Sequence, residues 1–494
     1  MSGPAASYFP GLERWDAEPF RQRLWKGGFH RDALATLELP ERWLRSRISR
    51  AALLGRCRPG SPIDTLIRLF TLGDKLPAAP VLEVLADTVL PLLEMGFLQA
   101  EDGNFRSRFQ LCPVQESWIA CDFPARLGMA DHTMGLGPSS LLLASLTPPL
   151  AAGRRVLELA CGIGWLSQHL AAVGHQVVAT DLNPRALALG QFTRVLSGTA
   201  AVDYRLGDGF STVAGETFDY IAANPPYVQS PGGDLLYREA PVDDPICARL
   251  LREIPAYLKP GGLAVMLLNW SHATPEAWKE APLSWVPEAG LRRWLFQTDC
   301  SSPVDYAWKW IEGDNRHHEP DEASAEMSRW LEHYARIGAT CISGGFIVLE
   351  KCAPGEEWTR CDSRDAKEIA PTAGTELLRI LRAETELQKR LPLLDRIYTV
   401  PEGLQAEAVM SLGDDNWERR TIRLTSPCRL SYDGQIDENI LRLLALARAG
   451  KPPAAMLAEI RENPAFAAME DLESRISALV EDLVRHGILV PVAV

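Results

Sequence analysis

The 494-residue sequence contains no run of eighteen apolar residues, the length at which a membrane-spanning helix is expected. Its first residues, Met-Ser-Gly-Pro-Ala-Ala, also lack the charged and apolar segments of a secretion signal. We therefore expect a cytoplasmic protein with no membrane partner.

Cysteine is present, but it is not arranged for metal binding. The ten cysteines form no Cys-x-x-Cys pair, and no histidine lies near them at metal-ligand spacing. We expect reduced, mostly buried thiols and no metal site.

An excess of basic residues is absent as well. The formal net charge is −13, whereas proteins that bind a phosphate backbone usually carry a basic balance or patch. Nucleic acid is therefore disfavoured as a partner, although it is not excluded.

A chain of 494 residues is too long for one hydrophobic core, and three blocks can be separated. Residues 1–130 show helical apolar spacing followed by a short hairpin, which predicts a winged-helix-like N-terminal domain. Residues 354–494 are predicted to form a mainly helical C-terminal domain with a similar ending. Both terminal domains are candidates for a homodimer contact.

The middle block, residues 131–353, alternates between strand and helix signals. Near-continuous apolar strands separated by helices imply a parallel sheet that is buried on both faces, so we predict an α/β, doubly wound domain. The five apolar runs are 155–160, 176–181, 202–206, 218–223 and 263–268.

A glycine-rich turn follows the first of these runs. Gly162 and Gly164 allow the backbone to approach a ligand closely, and the helix behind them offers free N–H groups to an anion. Asp181 ends the second run, where its carboxylate can accept both hydroxyls of a ribose. A dinucleotide site begins in the same way, but Ser167 replaces its third glycine.

The combination of Gly-x-Gly-x-x-Ser, Asp208-Gly209-Phe210 and a later Asn-Pro-Pro-Tyr resembles the Rossmann-like S-adenosylmethionine methyltransferases. The resemblance implies that S-adenosyl-L-methionine is the cofactor. It also implies that Glu158, Gly162 and Gly164 flank the methionine moiety, that Asp181 holds the ribose, and that Asp208 and Phe210 hold the adenine.

Asn224-Pro225-Pro226-Tyr227 ends the fourth run and offers an amide and proline carbonyls to a planar nitrogen. The motif is similar to that of methyltransferases acting on glutamine amides or on the amino groups of adenine and cytosine. By this resemblance Asn224 and Pro225 accept hydrogen bonds from the acceptor nitrogen, Tyr227 packs on its plane, and Asn224 also contacts the cofactor.

A longer likeness, from about residue 60 to 350, is to bacterial small-domain methyltransferases with an N-terminal helical extension. It rests on residues 69–73, 131–140, 224–228, 237–239 and 268–270. Five residues of these segments are candidate substrate contacts: His132, Tyr237, Arg238, Asn269 and Trp270. Alternatives stay open, because His132 would also suit a polar loop, Arg238 an ion pair near Glu239, and most tryptophans a core.

We therefore predict a methyltransferase that modifies a nitrogen of a small metabolite, amino acid or peptide. One alternative is methylation of sulfur in an amino acid or secondary metabolite, and another is amino-methylation of a base in RNA or DNA, which requires base extrusion. A non-enzymatic regulator that senses the cofactor and binds DNA through its terminal domains is the last.

Overall fold

The computed structural model describes residues 5–37, 50–115, 117–232, 235–239, 245–314, 319–389, 391–412, 417–426, 430, 432–462, 469 and 471–492. The chain divides into two compact units. Unit 1 consists of Met1–Ser140, Ala151–Ala353 and Glu357–Asp362, and unit 2 of Leu141–Leu150, Pro354–Glu356 and Ser363–Val494. No described helix is long and apolar enough to cross a membrane.

The N-terminal part of unit 1 combines short helices with two small antiparallel sheets. The helices are α1 (Ala5–Tyr8), α2 (Glu18–Lys26), α3 (Arg31–Thr36), α4 (Arg50–Arg56), α5 (Pro62–Leu66), α6 (Ala78–Leu85) and α7 (Val89–Glu94). The strands are β1 (Leu76–Pro77), β2 (Leu98–Glu101), β3 (Asn104–Ser107), β4 (Gln110–Val114) and β5 (Ser117–Cys121).

Strands β2 and β3 form the hairpin that the sequence predicts. Glu101 pairs with Asn104, and Asp102 and Gly103 turn the chain at positive φ angles of 51° and 73°. An Asp-Gly turn of this kind matches the right-handed twist of the strands it joins. The hairpin is thus confirmed, whereas the winged-helix assignment and the boundary at residue 130 stay predictions.

The remainder of unit 1 is built on an eight-stranded sheet. Its strands are β6 (Arg155–Leu159), β7 (Gln176–Asp181), β8 (Asp203–Leu206), β9 (Phe218–Ala223), β10 (Leu258–His272), β11 (Leu291–Ser301), β12 (Cys341–Lys351) and β13 (Trp358–Ser363). The helices that begin in this part of the chain are α8 (Pro138–Leu146), α9 (Trp165–Ala172), α10 (Pro184–Ser197), α11 (Ile246–Tyr257), α12 (Glu280–Ser284), α13 (Pro303–Asp314) and α14 (Pro320–Arg336).

The sheet order is β13-β11-β12-β10-β9-β6-β7-β8, and the neighbours from β8 to β10 are parallel. The predicted α/β fold with a buried parallel sheet is confirmed. The strand order reverses between β6 and β9, and ligands of such sheets bind beyond the carboxyl ends of the strands at this reversal. The glycine turn after β6 and the Asn-Pro-Pro-Tyr motif after β9 both lie there.

Unit 2 contains helices and small antiparallel sheets. Its helices are α15 (Ala373–Gln388), α16 (Glu438–Arg448), α17 (Pro453–Arg461) and α18 (Leu472–Arg485). Its strands are β14 (Tyr398–Thr399), β15 (Gln405–Leu412), β16 (Trp417–Thr425), β17 (Asp433–Ile436) and β18 (Val490–Pro491). The sequence predicts a mainly helical domain but not the β15-β16-β17 sheet, because β15 is exposed along almost its whole length and lacks an alternating apolar pattern.

The N-terminal part and the large sheet share one hydrophobic cluster within unit 1. Phe192 of α10 stacks on Phe97 with 4.4 Å between the ring centroids and also contacts Phe9 and Trp15. Aromatic pairs of this kind combine a large buried area with a favourable geometry. The helix that follows β7 is therefore anchored by residues from the start of the chain.

We predict that Phe192→Ala lowers the free energy of unfolding of unit 1 by about 3–5 kcal/mol, because it leaves a cavity among aromatic rings. Urea-induced unfolding followed by near-ultraviolet circular dichroism measures the change. The control is Leu90→Ala, whose side chain is 62% exposed and whose loss should cost within about 0.5 kcal/mol. Equal effects of the two variants would contradict the shared cluster.

Candidate active site

The glycine turn needs its two glycines for different reasons. Gly162 has a φ of +54° and a Cβ there would meet nothing within 4 Å, so the position is open to a ligand. Gly164 has a φ of +62°, and a Cβ there would lie 2.8 Å from the Tyr204 hydroxyl. Ala160 also has a positive φ, of 51°, which costs roughly 1–2 kcal/mol for a residue with a Cβ. The turn is therefore closely packed at Gly164 and open at Gly162.

The Glu158 carboxyl group lies at the end of β6 and is buried. It accepts hydrogen bonds from the backbone N–H of Ser167, at 2.8 Å, and from the Ser167 hydroxyl. Burial raises its pKa to about 7, and the nearby Asp181 carboxylate adds to this effect, whereas the Ser167 hydrogen bonds oppose it. Ser167, which replaces the third glycine of a dinucleotide site, therefore holds the acidic residue that precedes the turn.

The Asp181 carboxylate connects the end of β7 to the glycine turn. One oxygen accepts from the Gly162 N–H at 2.7 Å, and the other accepts from the Asn183 N–H at 2.8 Å. Burial raises the pKa of this group too. The Leu182 N–H also hydrogen-bonds to this carboxylate, and its remaining acceptor capacity can serve a ligand hydroxyl. Two buried carboxyl groups that lie close together favour a cationic ligand, and S-adenosylmethionine is a cation.

Residues 131–140 lie across the same edge of the sheet. The Asn183 side chain donates to the Asp131 carbonyl at 2.9 Å, which ties the segment to the residues that follow β7. His132 is 3% exposed, and burial lowers its pKa to about 4. Its Nδ1 has no hydrogen-bond partner among the described residues, and its ring meets the Tyr237 ring edge-on at 5.0 Å. The structure thus places both predicted substrate contacts, His132 and Tyr237, side by side.

The Asn-Pro-Pro-Tyr motif is held by Ser139, which the sequence analysis did not single out. The Asn224 side-chain nitrogen donates to the Ser139 hydroxyl at 3.2 Å, and Ser139 also bonds to the Tyr227 hydroxyl. Burial raises the pKa of Tyr227 to about 12. With its nitrogen engaged, the Asn224 amide retains its oxygen as an acceptor. The sequence signal for this role is the Pro-Ser-Ser start of α8, directly after the 131–137 segment.

The motif and the glycine turn are neighbours by strand register. In β6, Leu159 pairs with Ala223 of β9 on one side and with Thr180 of β7 on the other. Asn224 directly follows Ala223, and Asp181 directly follows Thr180. These two residues therefore lie on either side of the turn. This arrangement brings together the predicted residues Glu158, Gly162, Gly164, Asp181, Asn224, Pro225 and Tyr227.

A polar network follows the motif. The Tyr306 hydroxyl accepts from the Gln229 backbone N–H at 3.2 Å and from the Asn269 side chain at 2.8 Å, and the Tyr334 hydroxyl donates to the Gln229 carbonyl at 2.7 Å. Gln229, Tyr306 and Tyr334 were missed because α13 and α14 bring the tyrosines from far along the chain. The sequence signal for the two tyrosines is the high aromatic content of the stretch that follows β10.

Four residues that were predicted to contact the cofactor or the substrate have other partners in the structure. Asp208 forms an ion pair with Arg249 at 2.8 Å, and Phe210 is 2% exposed with its ring stacked on Tyr257. Contact of Phe210 with adenine would require that ring to be uncovered, so the adenine roles stay predictions. Arg238 is buried in an ion pair with Glu239, which already supplies its carboxylate.

Trp270 is the fourth of these residues. It is 1% exposed, and its indole N–H donates to the Trp278 carbonyl at 2.5 Å. The structure therefore places Trp270 in the core, and its substrate contact, like that of Arg238, stays a prediction.

The fold and these contacts describe a nucleotide-type site at the reversal point of a doubly wound sheet. Residues 135–281 match the family described as methyltransferase small domain. The matched segment contains the glycine turn, Asp181 and the Asn-Pro-Pro-Tyr motif. Residues 378–491 match a family described as a domain of unknown function, DUF7782.

Two curated relatives each resemble about a quarter of the chain. Ribosomal RNA small subunit methyltransferase C of Chromohalobacter salexigens is 36% identical over 24% of this chain and 32% of its own length. Release factor glutamine methyltransferase of Xylella fastidiosa is 34% identical over 24% of this chain and 48% of its own length. The chain thus spans a third to a half of these relatives.

Among solved structures, phosphoethanolamine N-methyltransferase 2 of Haemonchus contortus has 18% identity over 45% of this chain and 54% of its own, with a TM-score of 0.28. The two curated relatives carry names that refer to macromolecular acceptors. They do not support the predicted small-molecule acceptor or the expectation that nucleic acid is disfavoured.

We predict that Glu158→Gln removes part of the pH dependence of stability. The folded-state pKa of Glu158 is about 7, against an ordinary 4.5, so between these values the folded state holds a proton that the unfolded state has released. Stability is therefore lost as pH rises through this window, by roughly 3 kcal/mol for such a shift.

The measurement is the thermal unfolding midpoint of both proteins at pH 5 and pH 8. The midpoint of the Gln variant should fall less between the two than that of the unsubstituted protein, because glutamine cannot ionise. Parallel falls in both proteins would show that the Glu158 carboxyl group does not titrate in this range.

Proposed function

We propose that the protein is an S-adenosylmethionine-dependent methyltransferase that modifies a planar amide or amino nitrogen of a macromolecule, with a glutamine side chain of a protein as the first candidate. The observation that carries the proposal is the pairing of Leu159 with Ala223, which places Asn224 directly beside the glycine turn. The bound cofactor supplies an electrophilic methyl group.

The chain's own residues would position the acceptor. The lone pair of an amide nitrogen is delocalised, so the nitrogen is a poor nucleophile and must be held in line with the methyl group. The Asn224 side-chain oxygen and the Pro225 carbonyl can accept its two N–H groups, while Ser139 fixes the Asn224 amide from the other side. Alignment of this kind contributes about 7–11 kcal/mol in favourable cases, and acceptors aimed at a developing positive charge contribute further.

No strong base is needed for this reaction. The product nitrogen becomes acidic as the methyl group is added, and its proton can pass to water. Burial keeps the pKa of His132 at about 4, so this imidazole is neutral at physiological pH and does not repel a cationic cofactor. The Tyr227 hydroxyl, whose pKa is about 12, also remains neutral. The Tyr227 ring can therefore pack against a planar acceptor.

Two macromolecular acceptors are consistent with the relatives. The net charge of −13 favours a protein over RNA, because RNA binding depends on neutralising phosphates. The 36% identity to a ribosomal RNA methyltransferase keeps an exocyclic amine of an RNA base as the second candidate. The small metabolite of the sequence analysis is not proposed.

We predict that Asn224→Ala lowers kcat by about 100- to 1000-fold, the range seen when one hydrogen-bonding group that stabilises a transition state is removed. Cofactor affinity, measured by isothermal titration calorimetry, should stay within a few-fold of the original. Ser139→Ala should reduce kcat less, because water can replace the hydroxyl. Asn439→Ala, an exposed change in unit 2, is the matched control, and undiminished turnover of Asn224→Ala would contradict the proposed role.

The acceptor class is tested by incubating the protein with methyl-labelled cofactor and a cell extract, then separating protein, RNA and small molecules. We expect label in protein, resistant to ribonuclease and released as methylglutamine on proteolysis. Label in RNA, with incorporation that falls steeply as salt rises, would select the second candidate. Label confined to small molecules would overturn the macromolecular proposal. Asn224→Ala, assayed in parallel, identifies label that depends on this site.

A further inference from the structure

Three residues from three strands converge at the edge of the large sheet where β10 and β11 end and β12 begins. They are His272 at the end of β10, Cys300 near the end of β11 and Cys341 at the start of β12. One ring nitrogen and the two sulfur atoms all lie within 4.8 Å of one another. Sequence spacing predicts no metal site here, because these residues are far apart in the chain.

The strand register explains the convergence. His272 pairs directly with Cys341 across β10 and β12, and Cys300 pairs with Ser343 across β11 and β12. Side chains two residues apart on a strand share a face of the sheet, so Cys341 and Ser343 point the same way as their partners. All three potential ligands are therefore on one face.

The hydrogen bonds of His272 orient its ring for a ligand role. Its Nδ1 lies 2.7 Å from the Thr274 carbonyl oxygen, which can only accept, so Nδ1 carries the proton. In the neutral ring Nε2 then bears the lone pair, and it lies 2.8 Å from the Ser343 hydroxyl. The Nδ1 contact is the one that metal-binding histidines make, and the Ser343 hydroxyl, which donates to Nε2 here, would give way to an ion.

The cluster lies further along β10 than the residues of the candidate active site. Strand β10 pairs with β9 up to Met266 and Ala223, and His272 lies six residues further along. At about 3.3 Å per residue this is roughly 20 Å along β10 from the Met266–Ala223 pair, whereas Asn269, which shares the Tyr306 hydroxyl with Gln229, lies only three residues before His272. An ion bound here would stabilise the ends of β10 and β11 and the start of β12.

We propose that His272, Cys300 and Cys341 form a zinc site. Two thiolates and one imidazole are ligands that zinc prefers, and a tetrahedral ion with three protein ligands takes water at the fourth position. Cys300 is exposed, which gives an ion and a water molecule access. Binding deprotonates both thiols and releases their protons to solvent.

The test uses the full-length protein, reduced, stripped with chelator and then loaded with Zn²⁺ or Co²⁺. We expect one ion per chain, thiolate-to-cobalt charge-transfer absorption with the visible bands of tetrahedral cobalt, and a higher thermal unfolding midpoint with zinc than without. Cys300→Ser and Cys341→Ser should each weaken zinc binding by at least about 100-fold, since loss of a mere supporting partner of a ligand costs 10- to 100-fold.

Cys352→Ser is the matched control, because this half-buried cysteine follows the opposite end of β12. It should leave the cobalt spectrum unchanged. Cys300→Ser changes an exposed side chain, and an unaltered unfolding midpoint without metal would show that this variant folds. The proposal is overturned if the reduced protein binds less than half an ion per chain, if Cys300→Ser retains the cobalt bands, or if the pair only forms a disulfide on oxidation.

Discussion

The candidate active site depends on the hydrogen bond from the Gly162 N–H to the Asp181 carboxylate, 2.7 Å long. It joins the turn after β6 to the end of β7. Because β6 also pairs with β9, the Asn-Pro-Pro-Tyr motif that follows β9 lies beside the same turn. An open left-handed position at Gly162 is useful only if the loop is held still. The carboxylate does this while its remaining lone pairs stay available to a ligand.

Electrostatics and packing act together at this edge of the sheet. Burial of Glu158 and Asp181 raises the pKa of both groups, which is unfavourable for the free protein and is relieved when a cation binds. The Ser167 and Asn183 hydrogen bonds limit the cost by stabilising the ionised forms. Stability is thus given up locally in favour of binding, as is common where ionisable groups cluster in a cleft.

Local patterns predicted the fold and part of the site. The strands with continuous apolar runs, the glycine turn and Asn224 could be found because each depends on residues adjacent in sequence. Phe210 and Trp270 could not be placed, since an aromatic side chain in a motif and one in the core have the same sequence signature. Ser139 and Tyr306 reach the motif through tertiary contacts, which no periodicity reports. The His272, Cys300 and Cys341 cluster arises from the register of three strands and was missed for the same reason.

The partner of Asn224 has a further consequence for how the protein folds. Ser139 precedes Asn224 by 85 residues, and the Asn183 side chain reaches a carbonyl 52 residues earlier in the chain. The pairing of Leu159 with Ala223 closes a loop of a length between these two, and loop-closure entropy grows only slowly with loop length. The support of the Asn224 amide therefore forms at an entropic cost similar to that of the sheet pairing. A fragment that starts at β6 would retain the strands and the glycine turn but would lack the hydroxyl that orients Asn224.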